Sequence, residues 1–261
     1  MSRKHSAPSA GGNIRSGTNP SAAESPPRGR GPRFPQMLPG RLELLYEDRD
    51  LMVVNKPAGL LSVATSSERD RTVYWILSEY LRKKGEQRRP AAVHRLDRDT
   101  SGVMVWAKSG RIKQHLMERW NESVRERRYV ALAEGRIAEE QGTINAPVGE
   151  ISESRMTVTS TGSPAVTHWK TIRSGDFYTL LSLELGTGRR NQIRVHLSHI
   201  GNPIAGDAKY GAKTNPVGRL ALHAESLVIC HPRNGTVMRF SVPAPDSFVT
   251  AVKSSGPKKR H

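Results

Sequence analysis

Beyond residue 40 the chain alternates short apolar runs with polar punctuation, and the spacing of the apolar positions predicts its elements. LELLYEDRDLMVVNKPAG, residues 42–59, holds two apolar runs around a polar turn at Glu47 to Asp50 and stops at Pro-Ala-Gly, which predicts a β-hairpin. Val73, Ile76, Leu77, Tyr80 and Leu81 recur at helical spacing behind Thr72, an N-cap residue type, and Gly85 ends them. Ile112, Leu116 and Trp120 mark a second helix. Ile193, Leu197 and Ile200 mark a short third one, entered through a Gly/Arg/Asn turn with Asn191 as its cap and stopped by Gly201. Strand-like runs fall at 102–107, 128–134, 165–172, 177–185, 220–229 and 237–242. Many strands, few helices and no regular βαβ alternation predict an α+β fold with a mainly antiparallel or mixed sheet.

The ends read differently. Residues 1–40 contain 6 Gly, 7 Pro and 6 Ser with hardly any periodic apolar positions, so a disordered tail is expected there. The folded domain is expected over 41–250, followed by a basic tail at 251–261. The formal net charge is +17. Both tails and the folded part share it, which favours a polyanionic partner, because each phosphate neutralised releases condensed counterions. No run of about 18 apolar residues is present to span a membrane, and the first 40 residues lack the apolar stretch of a secretory signal. A cytoplasmic protein is expected, with organellar targeting by the acid-poor tail as the minor alternative. The one cysteine, Cys230, sits in the strand-like LVIC and reads as a buried structural thiol.

Two stretches concentrate chemistry. VHRLDRDTSG, residues 93–102, crowds His94, Arg95, Asp97, Arg98 and Asp99 beside a predicted strand. In an extended segment Arg95, Asp97 and Asp99 share one face and Arg98 takes the other. The acids are either turn formers paired to arginines or include one carboxylate that acts as nucleophile or base; the residues alone do not choose between Asp97 and Asp99. LGTGRRNQIRVHLSHIGNPIAGDAKYG, residues 185–211, brings Arg189, Arg190 and Arg194 to a helix N-terminus, an unfavourable place for cations unless a carboxylate or an RNA phosphate meets them. The histidines at 196, 199, 223 and 231 match no metal-ligand spacing, and GTGRRN lacks the Lys-Ser/Thr of a nucleotide loop. No metal and no cofactor is expected.

HRLDRDTSG resembles the signature of the RluA family of RNA pseudouridine synthases. YEDRDLMVVNKPAGLLS, ERRYVAL, GRRNQIRVHLSHIGNPIAGDAKYG and LALHAESLVICHP follow in the family's order, so the resemblance spans roughly residues 42–245. It implies the pseudouridine synthase fold, with helices flanking the sheet and a central catalytic cleft, and isomerisation of specific uridines in ribosomal or transfer RNA with the target base flipped out of its helix. By resemblance Asp97 is the essential aspartate and Asp99 a structural or positioning residue. Tyr129 is the active-site tyrosine, expected to stack on the uracil and assist proton removal at C5, and Arg194 is the basic partner of Asp97. Arg95 would fill the gap left by the flipped base, and Lys56, in the NKPAG turn, would lie near the cleft as an RNA contact. Arg98, Arg189 and Arg190 are further expected RNA contacts. Asn191 departs from the pattern at a position where the family more often has His. A monomer is expected. A non-catalytic RNA-binding protein on the same scaffold is the main alternative, and a basic nuclease or hydrolase a more distant one.

Overall fold

The computed structural model describes residues 34–65, 68, 70–152 and 155–253. Its first part is β1 (Gln36–Leu38), β2 (Leu42–Glu47), β3 (Leu51–Lys56), α1 (Val73–Lys83), β4 (Ala91–Ala92) and β5 (Ser101–Ala107). β2 and β3 form the expected hairpin, closed by Asp48, whose carboxylate accepts the N–H groups of Asp50 and Leu51, each at 2.7 Å. α1 starts where Thr72 Oγ1 accepts the Trp75 N–H at 3.1 Å and buries Val73, Ile76, Leu77 and Leu81. All seven residues of β5 are buried because both of its faces are covered. Met104 and Trp106 pack with α1, and Val103 and Val105 pack with the opposite layer.

That opposite layer includes α2 (Gly110–Glu118) and α3 (Trp120–Ser123), which lead into β6 (Val124–Glu134). Trp120 therefore opens a separate short helix instead of extending the one with Ile112 and Leu116. The chain continues through β7 (Gln141–Asn145), β8 (Val148–Ser152), β9 (Arg155–Val158), β10 (Val166–Ser174), β11 (Tyr178–Leu185), α4 (Gln192–His199), β12 (Leu222–Cys230), β13 (Val237–Ser241) and α5 (Asp246–Val252).

Among the described residues, eleven strands form one sheet whose main path runs β1-β2-β3-β5-β12-β6-β11-β10-β7, and β8 pairs with β9 apart from it. Every pairing is antiparallel except that of β5 with β12, which joins His223 to Ser101 and Ala224 to Gly102. Gly102 makes this junction possible. Its φ is 115°, and a side-chain carbon there would lie 2.1 Å from the Ala224 carbonyl oxygen. The loop before β5 is thereby delivered to the middle of the sheet, beside β6 and β12. On the far half, Ile193 and Leu197 of α4 and Phe248, Ala251 and Val252 of α5 pack with β6 and β11.

The folded region is wider than 41–250. β1 pairs with β2 and buries Leu38, while α5 buries Ala251 and Val252, so apolar anchors extend the domain at both ends. The expected disorder of residues 1–33 and 254–261 lies outside the described residues. Cys230, at the end of β12, is partly exposed instead of buried. No helix among the described residues is long and apolar enough to cross a membrane.

Candidate active site

Residues 93–100 form a loop fastened from beneath. Ser62 Oγ donates to the Leu96 carbonyl at 2.7 Å and accepts the Leu96 N–H at 3.3 Å. The Gly59 N–H reaches the Arg98 carbonyl at 2.9 Å. Lys56, at the end of β3, has no exposed surface, and its ammonium donates to the carbonyls of Pro57, Leu60 and Arg98 at 2.9, 2.7 and 2.8 Å. Burial pushes its pKa down to about 7. Three carbonyl acceptors match the three protons of the ammonium form. Where an RNA contact is expected, Lys56 is instead a buried ammonium that ties the NKPAG turn to the loop that carries Asp97.

The loop borders a cleft of about 530 Å³ whose lining includes Arg95, Asp97, Tyr129, Gly188, Asn191 and Arg194. Asp97 Oδ2 accepts from Asn191 Nδ2 at 2.6 Å and from Arg194 Nη1 at 3.1 Å. The other oxygen, Oδ1, has no hydrogen-bond donor among the described residues. Arg194 is held more firmly by Asp207, through two bonds of 2.7 Å, and lies over the Tyr210 ring with its central carbon 4.8 Å from the centroid. Burial opposes the guanidinium's charge, but the Asp207 and Asp97 carboxylates outweigh it and hold its pKa above the ordinary arginine value. The anion expected near this helix start thus proves to be two carboxylates, and the buried Asp207 is the principal partner.

Asn191 does not cap α4. Its φ is 53° and its side chain makes no capping bond, being turned to Asp97 and accepting from Tyr210 Oη at 3.3 Å. Gln192 Oε1 serves the helix entrance instead, taking the Arg189 N–H at 3.0 Å. Tyr129 sits on β6, paired to Leu183 of β11 and Ala224 of β12. Its phenol is pushed up to about 12 by burial, with Arg127 opposing and Asp97 reinforcing the shift. At neutral pH it is an un-ionised ring.

Comparison with known proteins decides what this arrangement belongs to. A sequence model described as RNA pseudouridylate synthase matches residues 50–199. YjbO of Bacillus subtilis (strain 168), an uncharacterized RNA pseudouridine synthase, is 36% identical over 217 residues, which cover 82% of this chain and 77% of the relative. The chain belongs to the RluA family of RNA pseudouridine synthases. Ribosomal large subunit pseudouridine synthase D of Yersinia pestis is 35% identical over 236 residues, covering 84% of this chain and 72% of that one. The solved structure titled Human RNA Pseudouridylate Synthase Domain Containing 4 superposes with a TM-score of 0.65 at 25% identity, covering 82% of this chain and 94% of that one.

Within this pseudouridine synthase the remaining expected residues divide. Arg95 is exposed at the cleft, and Arg189 also lines it while its Nε donates to the Pro164 carbonyl at 3.1 Å. Arg190 lines the cleft too and pairs with Glu150 at 2.9 Å. Arg98 is not among the lining residues; its guanidinium pairs with Glu68 at 2.5 Å. Asp99 is exposed, and its backbone carbonyl accepts from Arg219 at 3.2 Å. His196, His223 and His231 are each hydrogen-bonded to protein groups, and among the described residues no cluster of His, Cys, Asp or Glu could hold a metal ion. Asn191, Asp207 and Arg127 escaped sequence reasoning as site residues, because nothing local marks a side chain whose partner lies far along the chain.

Proposed function

We propose that Asp97 carries the reaction of this RNA pseudouridine synthase, acting as a cytoplasmic monomer on structured ribosomal or transfer RNA without metal or organic cofactor. Uridine is converted to pseudouridine: the C1′–N1 bond breaks, the uracil turns, a C5–C1′ bond forms, N1 gains a proton and C5 loses one, leaving the formula unchanged. The observation that carries the assignment is the division of labour between the two Asp97 oxygens. Oδ2 is held by Asn191 and Arg194. Oδ1 is left for the substrate in the cleft. Both sugar-directed roles, attack at C1′ and proton abstraction, need an anion aimed in this way.

A stacked uridine cannot reach the carboxylate, so the target must be flipped. In this reading Arg95 occupies the space the target vacates and the Tyr129 ring stacks on the uracil, supported by the presence of both residues in the cleft lining. Ribosomal RNA is favoured by the Yersinia pestis relative, which its name assigns to the large ribosomal subunit. The test is tritium release from ribosomal and transfer RNA transcripts containing 5-tritiated uridine. Wild type should release tritium, and Asp97→Asn should release none while retaining RNA in a filter-binding assay. Activity in Asp97→Asn would refute the assignment, and a silent wild type would refute the substrate class.

A further inference from the structure

Resting on that reading, we infer that Arg127 forms an anchoring subsite for a phosphodiester of the RNA strand next to the flipped uridine. Arg127 and Tyr129 are two residues apart on β6 and both line the cleft, which places them roughly 6.6 Å apart along the strand. Arg127 is partly buried, and burial works against its charge, yet among the described residues no carboxylate lies within ion-pairing distance of it. A charge withdrawn from water in this way calls for an anionic partner.

Its surroundings orient it for one. Nη2 is fixed by the Leu185 carbonyl at 3.1 Å, and the central carbon lies 5.8 Å from the Trp120 ring centroid, so the indole covers one face. Nη1 faces Gly188, where an added side-chain carbon would sit 2.7 Å away. The lack of a side chain at Gly188 is what lets the guanidinium take this position on the cleft wall. A guanidinium edge suits two oxygens of a phosphate. It also suits the O6/N7 edge of guanine, but a neutral base does not compensate the charge.

The probe is a 20-nucleotide oligouridylate, which contains phosphates and no guanine, bound to the full chain over a series of salt concentrations. Each single-strand phosphate contact contributes about 0.7 to the slope of log affinity against log salt. Arg127→Gln should lower the slope by about that amount, and Arg127→Lys should keep it. Gly188→Ala, whose methyl group displaces Nη1, should lower it as Arg127→Gln does and serves where Arg127→Gln fails to melt cooperatively. A folded Arg127→Gln or Gly188→Ala with the wild-type slope overturns the inference and leaves Arg127 as a strut or a guanine reader. Oligouridylate binding requires no isomerisation, so absent tritium release from wild type would count against the enzymatic reading alone.

Discussion

Replacing Lys56 with Met keeps the length of a buried side chain and removes its three hydrogen bonds. The carbonyls of Pro57 and Leu60 then lose their donor at the base of the Asp97 loop, and that of Arg98 keeps only the Gly59 N–H. A buried acceptor left without a partner costs about 1–3 kcal/mol. Against this stands the solvation the ammonium gave up on burial, several kcal/mol, which the Met variant recovers. The balance is a loss of about 2–4 kcal/mol, or roughly 5–15 °C in Tm for a chain of this size. Because the Arg98 carbonyl also receives the Gly59 N–H, the damage concentrates on the turn-to-loop junction next to Asp97. Thermal melting should show the drop, and tritium release should show kcat reduced at least tenfold with KM for RNA nearly unchanged. A Lys56→Met protein with wild-type Tm but raised KM would refute this reasoning and restore Lys56 as an RNA contact.

Asn191→Ala should lower kcat tenfold or more by freeing the Asp97 carboxylate to rotate. Asn191→Gly should lower it equally while holding or raising Tm, since glycine suits the φ of 53°; activity near wild type in both would remove Asn191 from the site. His94 accepts the Val105 N–H on Nε2 at 3.0 Å, and burial, aided by Arg127, holds its pKa down at about 4. A base whose folded pKa is depressed contributes stability that is full above about 6.5 and is lost as pH falls through about 4. Denaturant unfolding of wild type should therefore show a loss of about 1–2 kcal/mol between pH 7 and pH 5 that is absent in His94→Gln, allowing for the ring's partial exposure. Equal pH slopes in the two proteins would contradict the assignment.

The elements legible in the sequence are those whose signals are local. The hairpin around Asp48, the Thr72 cap and the apolar face of α1 each follow from residues within one or two turns of each other. β7, β8 and β9 were not legible, because QGTIN, VGEIS and RMTV are short, half polar and owe their strand geometry to partners elsewhere. β1 escaped notice inside a Pro- and Gly-rich stretch, since only its pairing with β2 orders it. Lys56 misled for a physical reason: lysine is almost never fully buried, so a lysine in a turn reads as a solvent-facing cation. The contact between Asp97 and Arg194, 97 positions apart, was anticipated only through family resemblance. Asp207, which holds Arg194 more tightly, lies in the same quoted stretch, yet no spacing rule pairs residues 13 apart across a helix end and a turn.

That second carboxylate explains how the site can exist before RNA arrives. If Asp97 were the sole partner of Arg194, the guanidinium's position would depend on the very group proposed to engage the substrate. Asp207 holds Arg194 through Nε and Nη2, and the Tyr210 ring supports it from below, leaving Nη1 to reach Asp97 as a donor already in place. Asn191 is fixed independently by its backbone and by the Tyr210 hydroxyl. Donors set in advance stabilise charge in the reaction without reorganising, which is where preorganised electrostatics acts. The same independence makes Asp97→Asn a clean substitution: Arg194 keeps its Asp207 partner, no buried charge is orphaned, and lost activity reports on the missing carboxylate instead of a collapsed cleft.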